Sequence, residues 1–246
     1  SIGDGWRRDP SSGHAWDRDT WYRHVRRGLP EGVDIRLPWE LSRCHHFVTL
    51  GESYRATGDE RYACEFRDQI ADWIQSNPAR RGPNWASTME VGIRAANWLV
   101  GLLYFAQSSN LDDAFLATLL RSLDEHGGHI RGNLERISVA TSNHYIGNLA
   151  GLYFIARLAP VLPRSERWGG LAKKELEREI FKQTYEDGWG FEASTAYHRF
   201  VSEMFLYSAI LGRSTGDSFS ADLWQRLTLM LNVMAACGKD AGRLPQ

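Results

Sequence analysis

Cysteine is scarce in this chain, and neither sign of charge is in excess. Cys44, Cys64 and Cys237 stand far apart among 246 residues, which excludes a disulfide framework and a zinc site of the usual short ligand spacing. They read as buried thiols in helices. Lys and Arg number 29 against 30 Asp and Glu, for a net charge of −1. That balance excludes a global basic field, so nucleic acid is not an expected partner and an acidic ligand has to be gripped by a local cluster. No apolar run approaches the ~20 residues of a membrane span, and the first residues lack the basic-then-apolar plan of a secretory signal. Period-two alternation is missing too, outside a few residues around Trp189 to Phe191. No ligand cluster calls for a metal, and no cofactor is expected.

What is present is tryptophan and helical periodicity. Ten Trp residues serve either to pack helix on helix or to line a sugar-binding cleft. Residues 1–38, rich in Gly, Pro, Asp and Arg, read as an extended lead-in packed on the body, with one short helix near 19–27. From Trp39 to the end the pattern is helical. A first helix is expected from Trp39 to about Thr57, carrying Leu41, Phe47, Leu50 and Tyr54 at mixed three- and four-residue steps, and a second from Glu60 to Ser76, burying Tyr62, Phe66, Ile70 and Trp73. Thr57-Gly58-Asp59 and Asn77-Pro78 punctuate them. Further helices are expected at 87–107, 112–134, 143–159, 165–184, 198–212 and 219–236. Short connections make neighbours antiparallel, and no fixed solenoid repeat is found. The expected class is all-α.

Three clusters carry candidate chemistry. Ser142-Asn143-His144-Tyr145 opens one apolar helix, where the backbone dipole favours an anion and Ser142 or Thr141 is the expected cap. Asn143 can donate to a carboxylate without titrating, and His144 can donate or accept near neutral pH. Asp187 to Glu192 is a Gly-punctuated loop leading to Tyr197-His198-Arg199 at the mouth of another helix. Successive helical residues diverge by about 100°, so these three cannot all face one spot, and Arg199 has a salt bridge as its alternative role. Glu90, Arg94 and Asn97 share one face of the 87–107 helix, either toward a ligand or as an intrahelical Glu90–Arg94 pair on a solvated face.

Taken in order, Glu90-Val91-Gly92-Ile93-Arg94-Ala95-Ala96-Asn97-Trp98, Ser142-Asn143-His144, and Asp187-Gly188 through Glu192-Ala193-Ser194 to Tyr197-His198 resemble the heparinase II/III-like polysaccharide lyases. So does the lead-in Asp34-Ile35-Arg36-Leu37-Pro38-Trp39-Glu40-Leu41-Ser42-Arg43. The resemblance implies an incomplete α/α toroid, here 39–246, followed by a β-sheet domain of the same polypeptide that this chain does not contain. Ser1 at the start and Asp240-Ala241-Gly242-Arg243-Leu244-Pro245 at the end fit a piece of a longer bacterial protein, inactive or incomplete alone, with periplasm and cytoplasm both open.

The resemblance also implies a reaction, β-elimination in a polysaccharide containing uronic acid. Asn143 would neutralise the uronate, His144 would assist or act as base, and Tyr197 would be the acid and in some substrates the base. Glu90, Arg94, Asn97, Glu192, His198 and Arg199 would contact or orient the sugar, with His198 or Arg94 as a cation that helps Tyr197 ionise. The expected partner is an acidic polysaccharide. The low net charge favours an exopolysaccharide or lightly sulfated polymer, since Arg80, Arg81 and Arg131 are scattered. Two rivals remain at this stage: a glycoside hydrolase using Asp187 and Glu192 as its carboxyl pair, and an acidic-glycan-binding module without chemistry.

Overall fold

The computed structural model describes residues 1–136 and 141–238. Among the described residues the regular structure is helical, with no named strand: α1 (Arg36–Ser42), α2 (His46–Thr57), α3 (Arg61–Ser76), α4 (Thr88–Phe105), α5 (Asp113–Gly132), α6 (Asn143–Leu158), α7 (Ser165–Lys182), α8 (Thr195–Ser214) and α9 (Ala221–Ala236). The all-α class follows from apolar residues spaced to give each helix one inward face. In α3 that face is Ala63, Phe66, Ile70 and Trp73. Seven of the ten Trp residues (6, 16, 39, 73, 85, 98 and 168) are buried, so most of the tryptophan packs helices together.

The chain divides into two compact units, Ser1–Gly132 and Asn133–Gln246. Within the first, α2 packs on α3 and α4 on α5, while α2 also touches α4 and α3 touches α5. Within the second, the same layout recurs with α6, α7, α8 and α9. Each unit is thus two helical hairpins side by side, leading helices in one layer and return helices in the other. This is the building pattern of the expected α/α class. Helices sit close, between layers and within one, because small residues face large ones: a Cβ on Gly101 of α4 would lie 2.5 Å from the Phe66 ring of α3, and one on Gly51 of α2 would lie 2.4 Å from Tyr104 of α4.

The first residues pack on the first unit through one carboxylate. Asp72 on α3 accepts from Ser1 Oγ (2.8 Å), Ile2 N (2.8 Å), Gly3 N (2.9 Å) and Trp6 Nε1 (2.9 Å). Burial works to raise its pKa, but these donors outweigh it and hold the carboxyl below its ordinary value.

Three local expectations are corrected. The helix from Trp39 to Thr57 is two helices, because Cys44 takes a left-handed backbone (φ 57°) and is itself buried. The carbonyl of Arg43, orphaned at that break, is satisfied by Asn97 Nδ2 at 2.7 Å. The short helix near 19–27 is a series of turns, with His24 N on Trp21 O and Arg27 N on His24 O. There the Val25 carbonyl receives the Trp16 indole (3.0 Å) instead of a helical amide. Around Trp189 to Phe191 the chain makes a small bridged turn, Thr184 to Gly190, and not a strand. The proposed chain end at Asp240–Pro245 lies outside the described residues.

Candidate functional site

The second unit brings two of the predicted motifs together. Asn143 begins α6, and Ser142 before it is extended but makes no side-chain cap. Thr141 does not cap either, since its hydroxyl donates to the buried carboxylate of Glu179. Glu192 fills that role from the loop before α8. Its carboxylate accepts from Asn143 N at 2.8 Å and from Asn143 Nδ2 at 3.0 and 2.8 Å. An acid at a helix N-terminus satisfies an orphan N–H and the dipole together. Asn143 is 5% exposed, and its Oδ1 is buried with no partner among the described residues.

His144 is half-exposed, with Nδ1 3.1 Å from Glu135 Oε1. Glu135 is fixed in turn by Asn148: Asn148 Nδ2 donates to Glu135 Oε2 (2.9 Å), and Glu135 N donates to Asn148 Oδ1 (2.7 Å). The carboxylate so oriented favours a proton on the His144 nitrogen that faces it. Glu135 and Asn148 were absent from the sequence reading. Asn148 had a signal, an amide one turn after His144 on an otherwise apolar helix. Glu135 had none, lying between helices.

The loop from Thr184 to Ala193 sets the other side. Gly188 has φ 91°, and a Cβ there would sit 2.5 Å from the backbone of Leu229. Ala193, at φ 52°, also lies in the left-handed region. Ser194 then caps α8, its Oγ accepting from Tyr197 N. Tyr197 is 51% exposed. A small recess is lined by Gln183, Phe191, Glu192, Tyr197 and His198, so Glu192, which holds Asn143, and Tyr197 border one recess.

His198 and Arg199 diverge from Tyr197 as helical geometry requires. His198 is buried and stacks on Trp189 with planes 9° apart. Its Nδ1 accepts from Gly190 N (3.1 Å) and its Nε2 faces the Met230 carbonyl (3.0 Å). Both ring nitrogens are thus committed to the backbone of neighbouring segments. His198 is therefore a brace for the loop, held between Gly190 and Met230. Arg199 is exposed and lies 3.8 Å from Glu203 one turn on, its alternative role.

In the first unit, Glu90, Arg94 and Asn97 are turned to internal tasks. Glu90 is 2% exposed and is gripped at both oxygens by Arg43, at 2.6 and 2.8 Å. The solvated Glu90–Arg94 pair is thereby corrected. Arg94 is fully buried, its guanidinium 4.0 Å from the Trp73 ring centre, donating to His126 Nε2 (3.0 Å) and Asn84 O (3.2 Å). Burial pulls its pKa down to about 9, which leaves it charged at neutral pH. Stacking against indole faces compensates part of the lost hydration. Neither side chain offers surface to a ligand. Asn97, half-buried, spends its amide on the Arg43 carbonyl.

No group of three or more His, Cys, Asp or Glu among the described residues is placed to hold a metal. No helix among them is long and apolar enough to cross a membrane.

Comparison with known proteins agrees with this architecture. A heparin-sulfate lyase of Bacteroides stercoris is 28% identical over 217 residues, covering 80% of this chain and 31% of that protein. One from Pedobacter heparinus is 29% identical over 178 residues, covering 70% of this chain and 26% of that protein. This chain thus spans about a third or less of the length of these relatives. Among solved structures, that of a heparinase III superposes with a TM-score of 0.72 at 22% identity, over 86% of this chain and 32% of the other. A heparan sulfate lyase from Pedobacter heparinus gives 0.67 at 23% identity, over 94% and 36%. Residues 6–238 match the family described as Heparinase II/III N-terminus, and the chain belongs to that family.

Proposed function

We propose that the complete protein containing this chain is a polysaccharide lyase, cleaving a uronic-acid polymer by β-elimination. The observation that carries the reading is the joining of two sequence-distant motifs. Asn143 at the mouth of α6 is bonded to Glu192, and Glu192 lines the same recess as the exposed Tyr197. The hardest step is removal of the proton alpha to a carboxylate that is already negative. A preorganised amide and helix N-terminus at Asn143 would draw charge from that carboxylate as the carbanion develops. Electrons from the broken C–H bond form the new C=C double bond, and the bond to the 4-linked sugar oxygen breaks. Tyr197 would deliver a proton to that oxygen, and either Tyr197 or His144 would take the alpha proton. A phenol of ordinary pKa near ~10 acts as base only with a neighbouring positive charge. Since both ring nitrogens of His198 are spent on backbone groups, we assign that charge to groups beyond the ones it was expected from, including the family's C-terminal β domain.

The relatives' names make heparan sulfate the first substrate to test, beside alginate and a bacterial exopolysaccharide. The near-neutral charge favours a lightly sulfated member of the class. In the complete protein, Tyr197→Phe is expected to abolish the ultraviolet-absorbing unsaturated product while leaving the circular dichroism spectrum unchanged. Product formation at near the parent rate by that variant would remove Tyr197 from the reaction. Saturated ends from the parent protein would move it to the hydrolases.

A further inference from the structure

The carboxylate of Glu192 sits where the proposed reaction would bring a uronate. Three contacts of 2.8 to 3.0 Å bind it to the backbone N–H and side-chain amide of Asn143, at the positive end of α6. Both oxygens are engaged, and the Asn143 amide is committed to them. Glu192 has no ion pair among the described residues, so helix end and amide are what hold its charge in place. The residue is partly exposed and lies between Gly190 and the left-handed Ala193, in a loop and not within a helix. A second carboxylate cannot take the same amide while the first remains, because two like charges in contact repel and the donors are already spent.

We infer that Glu192 is an internal stand-in for the substrate's carboxylate, a positioning residue that holds the Asn143 amide in place and is displaced by the incoming uronate. The identity of that ligand rests on the β-elimination reading, whereas the competition itself rests on the contacts just given. Binding of a uronate therefore costs the enzyme an existing charge-assisted contact, and the price appears in affinity. Glu192→Gln keeps the size of the side chain and one acceptor oxygen for Asn143, but removes the competing charge.

The test is an NMR titration of the complete protein with methyl β-D-glucuronide, whose carboxylate is free, alongside KM and kcat on the polymer it cleaves. Glu192→Gln is expected to bind the monosaccharide about tenfold more tightly, the worth of one charge-assisted hydrogen bond, and to show a lower KM. A residue that merely braced the loop would lower kcat or raise KM instead. Equal or weaker binding by the variant, including no detectable binding to either protein, overturns the inference. Should Glu192→Gln fail to fold, Glu192→Asp, which retracts the charge by one methylene, is read by the same criterion. The lyase reading fails separately, through absence of unsaturated product from the parent protein, whichever way the titration falls.

Discussion

At the scale of single residues, the buried charges show which side chains serve the scaffold. Glu90 lies in the interior with Arg43 across both oxygens, and Arg43 also reaches Glu40 at 2.8 Å. Removing one member of a buried pair leaves the other uncompensated, whereas removing both is far milder. Glu90→Ala is expected to destabilise the chain by about 3 kcal/mol, and the double variant with Arg43→Met by distinctly less. Denaturant midpoints for the two single variants and the double one decide this. An additive double variant would mean that the pair contributes no coupling. The spacing of Glu90, Arg94 and Asn97 on one helical face was legible in the sequence. Their partners were not, because Arg43, Trp73 and His126 approach from the break after α1, from α3 and from α5 respectively.

At the scale of elements, helix starts and stops were read closely because their signals are local. Gly58 ends α2 in the left-handed conformation (φ 69°), and Pro78 follows the end of α3. The loop between α7 and α8 depends on tertiary contact as well. Gly188 needs both its positive φ and its missing side chain, since Leu229 of α9 leaves no room. Gly188→Ala is expected to cost about 2 to 4 kcal/mol, from left-handed strain and overlap together. Thermal unfolding measures it. A melting temperature equal to that of the parent chain would show that α9 yields at this point. The break at Cys44 escaped notice because a cysteine in the left-handed region has no sequence signature, unlike glycine or asparagine.

At the scale of the whole molecule, a buried histidine ties stability to pH. Burial first, and then the neighbouring charge of Arg94, push His126 well below its ordinary pKa. In the unfolded chain this ring takes a proton near ~6.5, while the folded chain resists until much lower pH. The unfolded state then binds more protons, so the stability is fully present above that value and is lost as pH falls below it. Urea midpoints are expected to drop between about pH 7 and about pH 5, and the drop is expected to be shallower in His126→Gln. An unchanged slope in that variant would show that other groups carry the effect.

Periodicity, helix punctuation and the residue types at two helix mouths are properties of neighbours in the chain, and the sequence by itself determined them. They were enough for the all-α class and for placing Asn143 and Tyr197 at the starts of their helices. Partners were decided only by tertiary structure: Glu192 meets Asn143 across 49 residues, and Arg43 meets Glu90 across 47. Local spacing sets which way a side chain leaves its own helix. What it finds there depends on which helices pack alongside, and packing is a property of the folded chain as a whole.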